Sequence, residues 1–142
     1  MQTDDFPGLV QRFFAEYLAA QRNLSPHTRL SYRNTFQLLL RFLAEHHHRP
    51  IDKLTLGALT PETILAFLDH LERQRGNSPR TRNVRLAAIR TFVRYVLGAA
   101  ALDFLGPGQR ILAIPMKKSA RAPLGFMTRE EITALLAAVD QS

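Results

Sequence analysis

Two segments 53 residues apart, Ser25-Pro26-His27-Thr28-Arg29 and Ser78-Pro79-Arg80-Thr81-Arg82, repeat one pattern. Ser is a preferred N-cap because its hydroxyl takes up a backbone N–H that the first helical turn leaves unpaired. Pro suits the first helical position, where its missing N–H removes nothing. The pattern therefore fixes where two helices begin. Each first turn also carries Arg and no acid, although the helix dipole already makes that end positive and favours Asp or Glu there. Such a tip suits an external polyanion better than it suits stability.

Apolar residues at three- and four-residue spacing fill in the remaining helices. A first helix is predicted from about Asp5, with Pro7 in its first turn, to about Arg22, burying Leu9, Val10, Phe13, Phe14, Tyr17 and Leu18. The second runs from Ser25 to about His47 on Tyr32, Phe36, Leu39, Leu40 and Leu43. Thr60-Pro61-Glu62 opens a third with Ile64, Leu65, Phe67, Leu68 and Leu71, and Gly76 stops it in the left-handed cap position. The fourth starts at Ser78 and ends near Gly98, burying Leu86, Ile89, Phe92, Val93 and Val96. A short fifth is expected around Gln109 to Ala113, after Gly106-Pro107-Gly108. The predicted fold is all-α, a four-helix bundle plus a short fifth helix.

Residues 1–115 form this helical domain. Residues 116–125 lack any apolar period and carry Lys117, Lys118 and Arg121, the character of a basic linker. Residues 126–142 contain a capping box, Thr128 to Glu131, and an amphipathic helix with Ile132, Leu135, Leu136 and Val139. It reads as the first element of a further domain.

Charge points to the partner. From Met1 to Gly76 there are 9 Lys and Arg against 8 Asp and Glu; from Asn77 to Gly125 there are 9 against 1. A face that basic marks a polyanion site, and duplex DNA is the expected partner. Cysteine is absent, which excludes disulfides and thiolate metal sites and fits a cytoplasmic location. No apolar run reaches the roughly 20 residues needed to span a bilayer, so no membrane is expected. His46, His47 and His48 are consecutive and point in different directions on a helix, so no metal, cofactor or small-molecule substrate is expected.

Arg29 lies on the backward extension of the second helix's apolar stripe, with Arg33 at its margin, and Arg82 and Arg85 do the same on the fourth helix. Unpaired guanidinium groups are too costly to bury, so both tips are expected to protrude beyond the core. A protruding basic helix end suits the DNA major groove. The expected DNA contacts are therefore Arg29, Arg33, Arg80, Arg82 and Arg85, widened by Arg90, His27, Lys117 and Lys118. Ser25, Thr28, Ser78 and Thr81 offer hydroxyls to phosphates, although the two serines serve equally as plain caps, and Asn83 is a candidate base reader.

The order Leu24-Ser25-Pro26-His27-Thr28 with Tyr32-Arg33, Ser78-Pro79-Arg80-Thr81 through Leu86-Ala87-Ala88-Ile89-Arg90-Thr91-Phe92-Val93-Arg94-Tyr95, Pro115 with its basic linker, and Phe126-Met127-Thr128-Arg129-Glu130-Glu131-Ile132 resembles the N-terminal core-binding domain of tyrosine recombinases. These are the site-specific integrases of phages, mobile elements and the Xer type. The resemblance implies a SAM-like helical bundle that clamps a recombination site during DNA integration or recombination, with other protomers as further partners. It also implies that catalysis belongs to a following domain that supplies two Arg, a Lys, His residues and a nucleophilic Tyr. Tyr17, Tyr32 and Tyr95 precede that domain, so this chain, truncated before it, is expected to bind DNA and not to act as an enzyme. Two alternatives remain: a helical protein-interaction module, and a helix-turn-helix regulator, against which no short turn joining two suitably patterned helices is evident in the sequence.

Overall fold

The computed structural model describes residues 5–21, 23–99 and 102–118. Five α-helices account for most of these: α1 (Phe6–Arg12), α2 (Pro26–His47), α3 (Pro61–Arg75), α4 (Pro79–Gly98) and α5 (Leu105–Leu112). No strand occurs among the described residues. None of the described helices is long and apolar enough to cross a membrane. The expected terminal helix, and the linker beyond Lys118, lie outside the described residues.

The predicted starts hold because local chemistry sets them. Asp5 caps α1 by accepting from the Gly8 N–H at 3.0 Å. Ser25 and Ser78 cap α2 and α4 in extended backbone, each followed by Pro. Thr60 and Thr63 cap α3 reciprocally, with Thr63, not Glu62, supplying the return bond to the Thr60 N–H. Gly76 ends α3 at φ 62°, a left-handed conformation that Gly adopts without a Cβ clash.

Three expectations need correction. The first helix does not continue as an α-helix to Arg22: from Phe13 to Leu18 it widens into a π-helical turn and then stops. Bonding from i to i+5 brings residues five apart towards one side, which lets both Phe13 and Leu18 face the core. The fifth helix starts earlier than expected, with Gly106-Pro107-Gly108 inside its first turn, where Pro is tolerated. There Gly108 packs closely, since a Cβ would come within 3.0 Å of Leu97 and 3.1 Å of the Phe104 ring. Finally, Tyr17, expected on the buried face of the first helix, is 36% exposed. The three residues Gly76 to Ser78 join α3 to α4, as the predicted stop and cap imply.

The core is a box of aromatic rings. Phe13 packs against Tyr17 at 5.5 Å between centroids, Phe36 at 5.8 Å, Phe92 at 5.4 Å and Tyr95 at 5.5 Å, and Phe92 also meets Phe6 and Phe36. These contacts tie the N-terminal helix to α2 and α4. Leu39 and Leu43 of α2, Ile64, Phe67 and Leu68 of α3, Leu86, Ile89 and Val96 of α4 and Ile111 of α5 complete it. The apolar stripes are largely as predicted, except that Tyr17 of the first helix and Leu65 of α3 face solvent. Because Phe13 is fully buried at the centre of the box, Phe13→Ala should lower unfolding free energy by about 3–5 kcal/mol in a denaturant titration.

Candidate nucleic-acid interface

At the tip of α2, the Ser25 hydroxyl accepts from the Thr28 N–H at 3.1 Å and lies 2.9 Å from the Thr28 hydroxyl. Ser25 is thus a true cap. His27, Arg29 and Arg33 are exposed. Arg29 folds back to donate to the Gln21 carbonyl at 3.3 Å, whereas Arg33 makes no ion pair or hydrogen bond with the described residues. The tip of α4 repeats the arrangement. Ser78 accepts from the Thr81 N–H at 3.2 Å, the two hydroxyls lie 3.2 Å apart, and Arg80 is exposed. Neither first turn contains an acid.

Beyond that first turn the expectation of a protruding, unpaired basic tip fails on α4. Arg82 is only 7% exposed. Its burial is made tolerable by pairing: Nε lies 3.3 Å from the Glu72 carboxylate of α3, and a terminal N–H donates to the Pro115 carbonyl at 3.5 Å. Arg85 is half-buried, donating to the Ser31 carbonyl at 3.3 Å and the Thr35 hydroxyl at 3.0 Å, so it braces α4 against α2. Burial, followed by the nearby Arg75 charge, lowers its pKa from the ordinary Arg value, yet it remains a cation at neutral pH. Arg90 donates to the Ile114 carbonyl.

Asn83, a candidate base reader, spends its amide inside the protein. Its Nδ2 donates to the Lys117 carbonyl at 2.7 Å and its Oδ1 accepts from the Lys117 N–H at 2.9 Å. The Lys117 ammonium in turn sits 2.9 and 3.0 Å from the Glu72 oxygens. Lys118 is exposed. The predicted residues thus fall into two sets. Ser25, His27, Thr28, Arg29 and Arg33, with Ser78, Arg80, Thr81 and Lys118, lie at the two tips or on exposed surface. Arg82, Asn83, Arg85, Arg90 and Lys117 are joined to other elements.

Sequence reasoning missed Glu72, which receives both Arg82 and Lys117. No local pattern could have found it, since its partners lie 10 and 45 residues away in the chain. It also missed Thr35, which is fully buried, donates to the Ser31 carbonyl at 2.8 Å and receives Arg85. A threonine on the apolar stripe of α2 was the available signal.

The two sets should separate in stability measurements. Arg82→Ala leaves the partly buried Glu72 without its guanidinium and should lower unfolding free energy by about 1–3 kcal/mol. Arg29→Ala, exposed, should stay within about 0.5 kcal/mol in the same denaturant titration.

Comparisons with known proteins agree with this architecture. A Sinorhizobium fredii integrase/recombinase, y4rC, is 43% identical over 134 residues, covering 94% of this chain and 40% of that protein. A second from the same organism, y4rD, is 40% identical over 130 residues, covering 92% of this chain and 46% of its own length. Tyrosine recombinase XerC of Caldanaerobacter subterraneus is 25% identical over 153 residues, covering 99% of this chain and 42% of the relative. The chain therefore spans less than half the length of these curated relatives. No solved structure matches significantly. Residues 10–99, which run from the end of α1 through α4, match the phage integrase N-terminal SAM-like domain, and the chain belongs to that family.

Proposed function

We propose that this chain binds duplex DNA at a recombination site, as the core-binding part of a site-specific tyrosine recombinase, and leaves strand cleavage to residues it does not contain. The observation that carries the reading is the pair of Ser-capped, acid-free helix tips within a domain whose family binds DNA. Arg29, Arg33, Arg80 and Lys118 supply exposed cations. Thr28, Thr81 and the backbone N–H groups of each first turn add donors suited to phosphate oxygens. Arg82, Asn83, Arg85, Arg90 and Lys117 act as the frame that holds these groups in place.

The tyrosines support the non-catalytic half of the reading. The Tyr32 hydroxyl lies 3.2 Å from the Thr91 hydroxyl, and the Tyr95 hydroxyl is buried without a partner among the described residues. Tyr17 stacks on Phe13 at the edge of the aromatic box. A nucleophile must meet a phosphodiester, and the environments of Tyr32 and Tyr95 favour packing over that encounter, whereas Tyr17 is partly exposed.

The partition 1–115, 116–125 and 126–142 into binding domain, basic linker and start of a catalytic domain belongs to the same proposal. It is refined at one point: Lys117 is docked on the bundle, so the domain extends past Pro115. Between this reading and a helix-turn-helix regulator, the three-residue turn from Gly76 to Ser78 does not discriminate, whereas the match over residues 10–99 favours the recombinase domain.

Fluorescence titrations of a duplex carrying a recombination site across a salt series test the proposal. Four phosphates neutralised by Arg29, Arg33, Arg80 and Lys118 predict a slope of log affinity against log salt of about −3.6. A flat response would remove the electrostatic contact on which the reading depends.

A further inference from the structure

After α5 the chain runs from Ala113 to Lys118 without regular structure, and Pro115, Met116, Lys117 and Lys118 are exposed. An exposed segment of this kind is ordinarily loose. Here its backbone is gripped by α4: Arg90 takes the Ile114 carbonyl, Arg82 the Pro115 carbonyl, and Asn83 both the N–H and the carbonyl of Lys117. A carboxamide carries one donor edge and one acceptor edge, so Asn83 pairs with Lys117 as a neighbouring strand would. Glu72 adds a further tether by holding the Lys117 ammonium.

The position of this grip has a consequence. Asn83 lies five residues after the Ser78 cap, in the second turn of α4. The Cα of Lys118 follows that of Lys117 by about 3.8 Å. Lys118 therefore lies near the end of α4 that presents Arg80.

We propose that Asn83 and Glu72 form a clamp on Lys117 that holds Lys118 beside the N-terminal tip of α4, so that Lys118 joins Arg80 on one DNA-facing surface. Asn83 and Glu72 are then positioning residues, acting on DNA through Lys118. The DNA consequence rests on the function proposed above, whereas the clamp is measurable without DNA.

Amide hydrogen exchange on the whole chain, free of DNA, reads the clamp directly. In Asn83→Ala the Lys117 amide should exchange about 3- to 10-fold faster, the factor that a net hydrogen bond carries, while Leu39 in the core is unchanged. Asn83→Asp, which still accepts from the Lys117 N–H, should retain most of the protection. In DNA titrations Asn83→Ala should weaken binding and reduce the magnitude of the salt slope by about 1, as should Lys118→Ala. The double variant should lose little more than either single one, because both remove the same contact. Equal Lys117 exchange in wild type and Asn83→Ala overturns the clamp. An unchanged salt slope, or fully additive losses, overturns its role in placing Lys118. If the wild type itself binds no duplex DNA, the DNA role falls with the function reading, and the exchange comparison still decides whether the clamp exists.

Discussion

The Arg82–Glu72 ion pair determines what the rest of this surface can be. A guanidinium that is 7% exposed needs a compensating charge, and at 3.3 Å the Glu72 carboxylate provides it from the adjacent helix α3. That single requirement joins α3 to α4 near the turn between them. The same carboxylate also receives Lys117, so the pair extends its hold to the chain that follows α5. Removing Glu72 would strand the buried Arg82 guanidinium, which makes this basic cluster part of the fold and not a free face.

Charge counts alone would place nearly all of the excess positive charge at the disposal of DNA. The structure divides it. Arg82, Arg85, Arg90 and Lys117 donate to protein carbonyls, hydroxyls or Glu72, whereas Arg33, Arg80 and Lys118 are exposed and make no ion pair with the described residues. Inward arginines bonded to carbonyls keep their charge, because a guanidinium does not deprotonate at neutral pH. Their field still reaches a nearby duplex, more weakly than direct contact, since salt screens over about 8–10 Å. On the proposed function, the inward cations would contribute to affinity through their field and the exposed ones through contact with phosphates.

Helix starts were legible in the sequence because a cap is local: Ser25, Thr60 and Ser78 each act within three residues, and each begins a helix as expected. The α4 stripe was legible for the same reason, since Leu86, Ile89, Phe92, Val93 and Val96 follow the helical period and are buried. The π-helical widening at Phe13 was not legible, because no local pattern marks it, whereas the ring contacts of Phe13 with Phe36 and Phe92 appear only once the helices pack. Arg82 shows the limit most clearly. The sequence placed it on the buried side of the helix, and the rule against burying unpaired charge then pushed it outward. That rule holds, but its condition was met by Glu72, a partner visible only after folding. Asn83 illustrates the same point, since a residue suited to reading a base edge is equally suited to pairing with a backbone.

The central claim is that the exposed cations at the two helix tips bind DNA while the buried ones hold the frame. A salt-series titration of the Arg33→Ala/Arg80→Ala double variant, paired with its melting temperature, tests this most directly. The account predicts an unchanged melting temperature and a salt slope reduced in magnitude by about 2, with weaker binding to every duplex. An unchanged slope and affinity, or a lower melting temperature with full affinity per folded molecule, would contradict it.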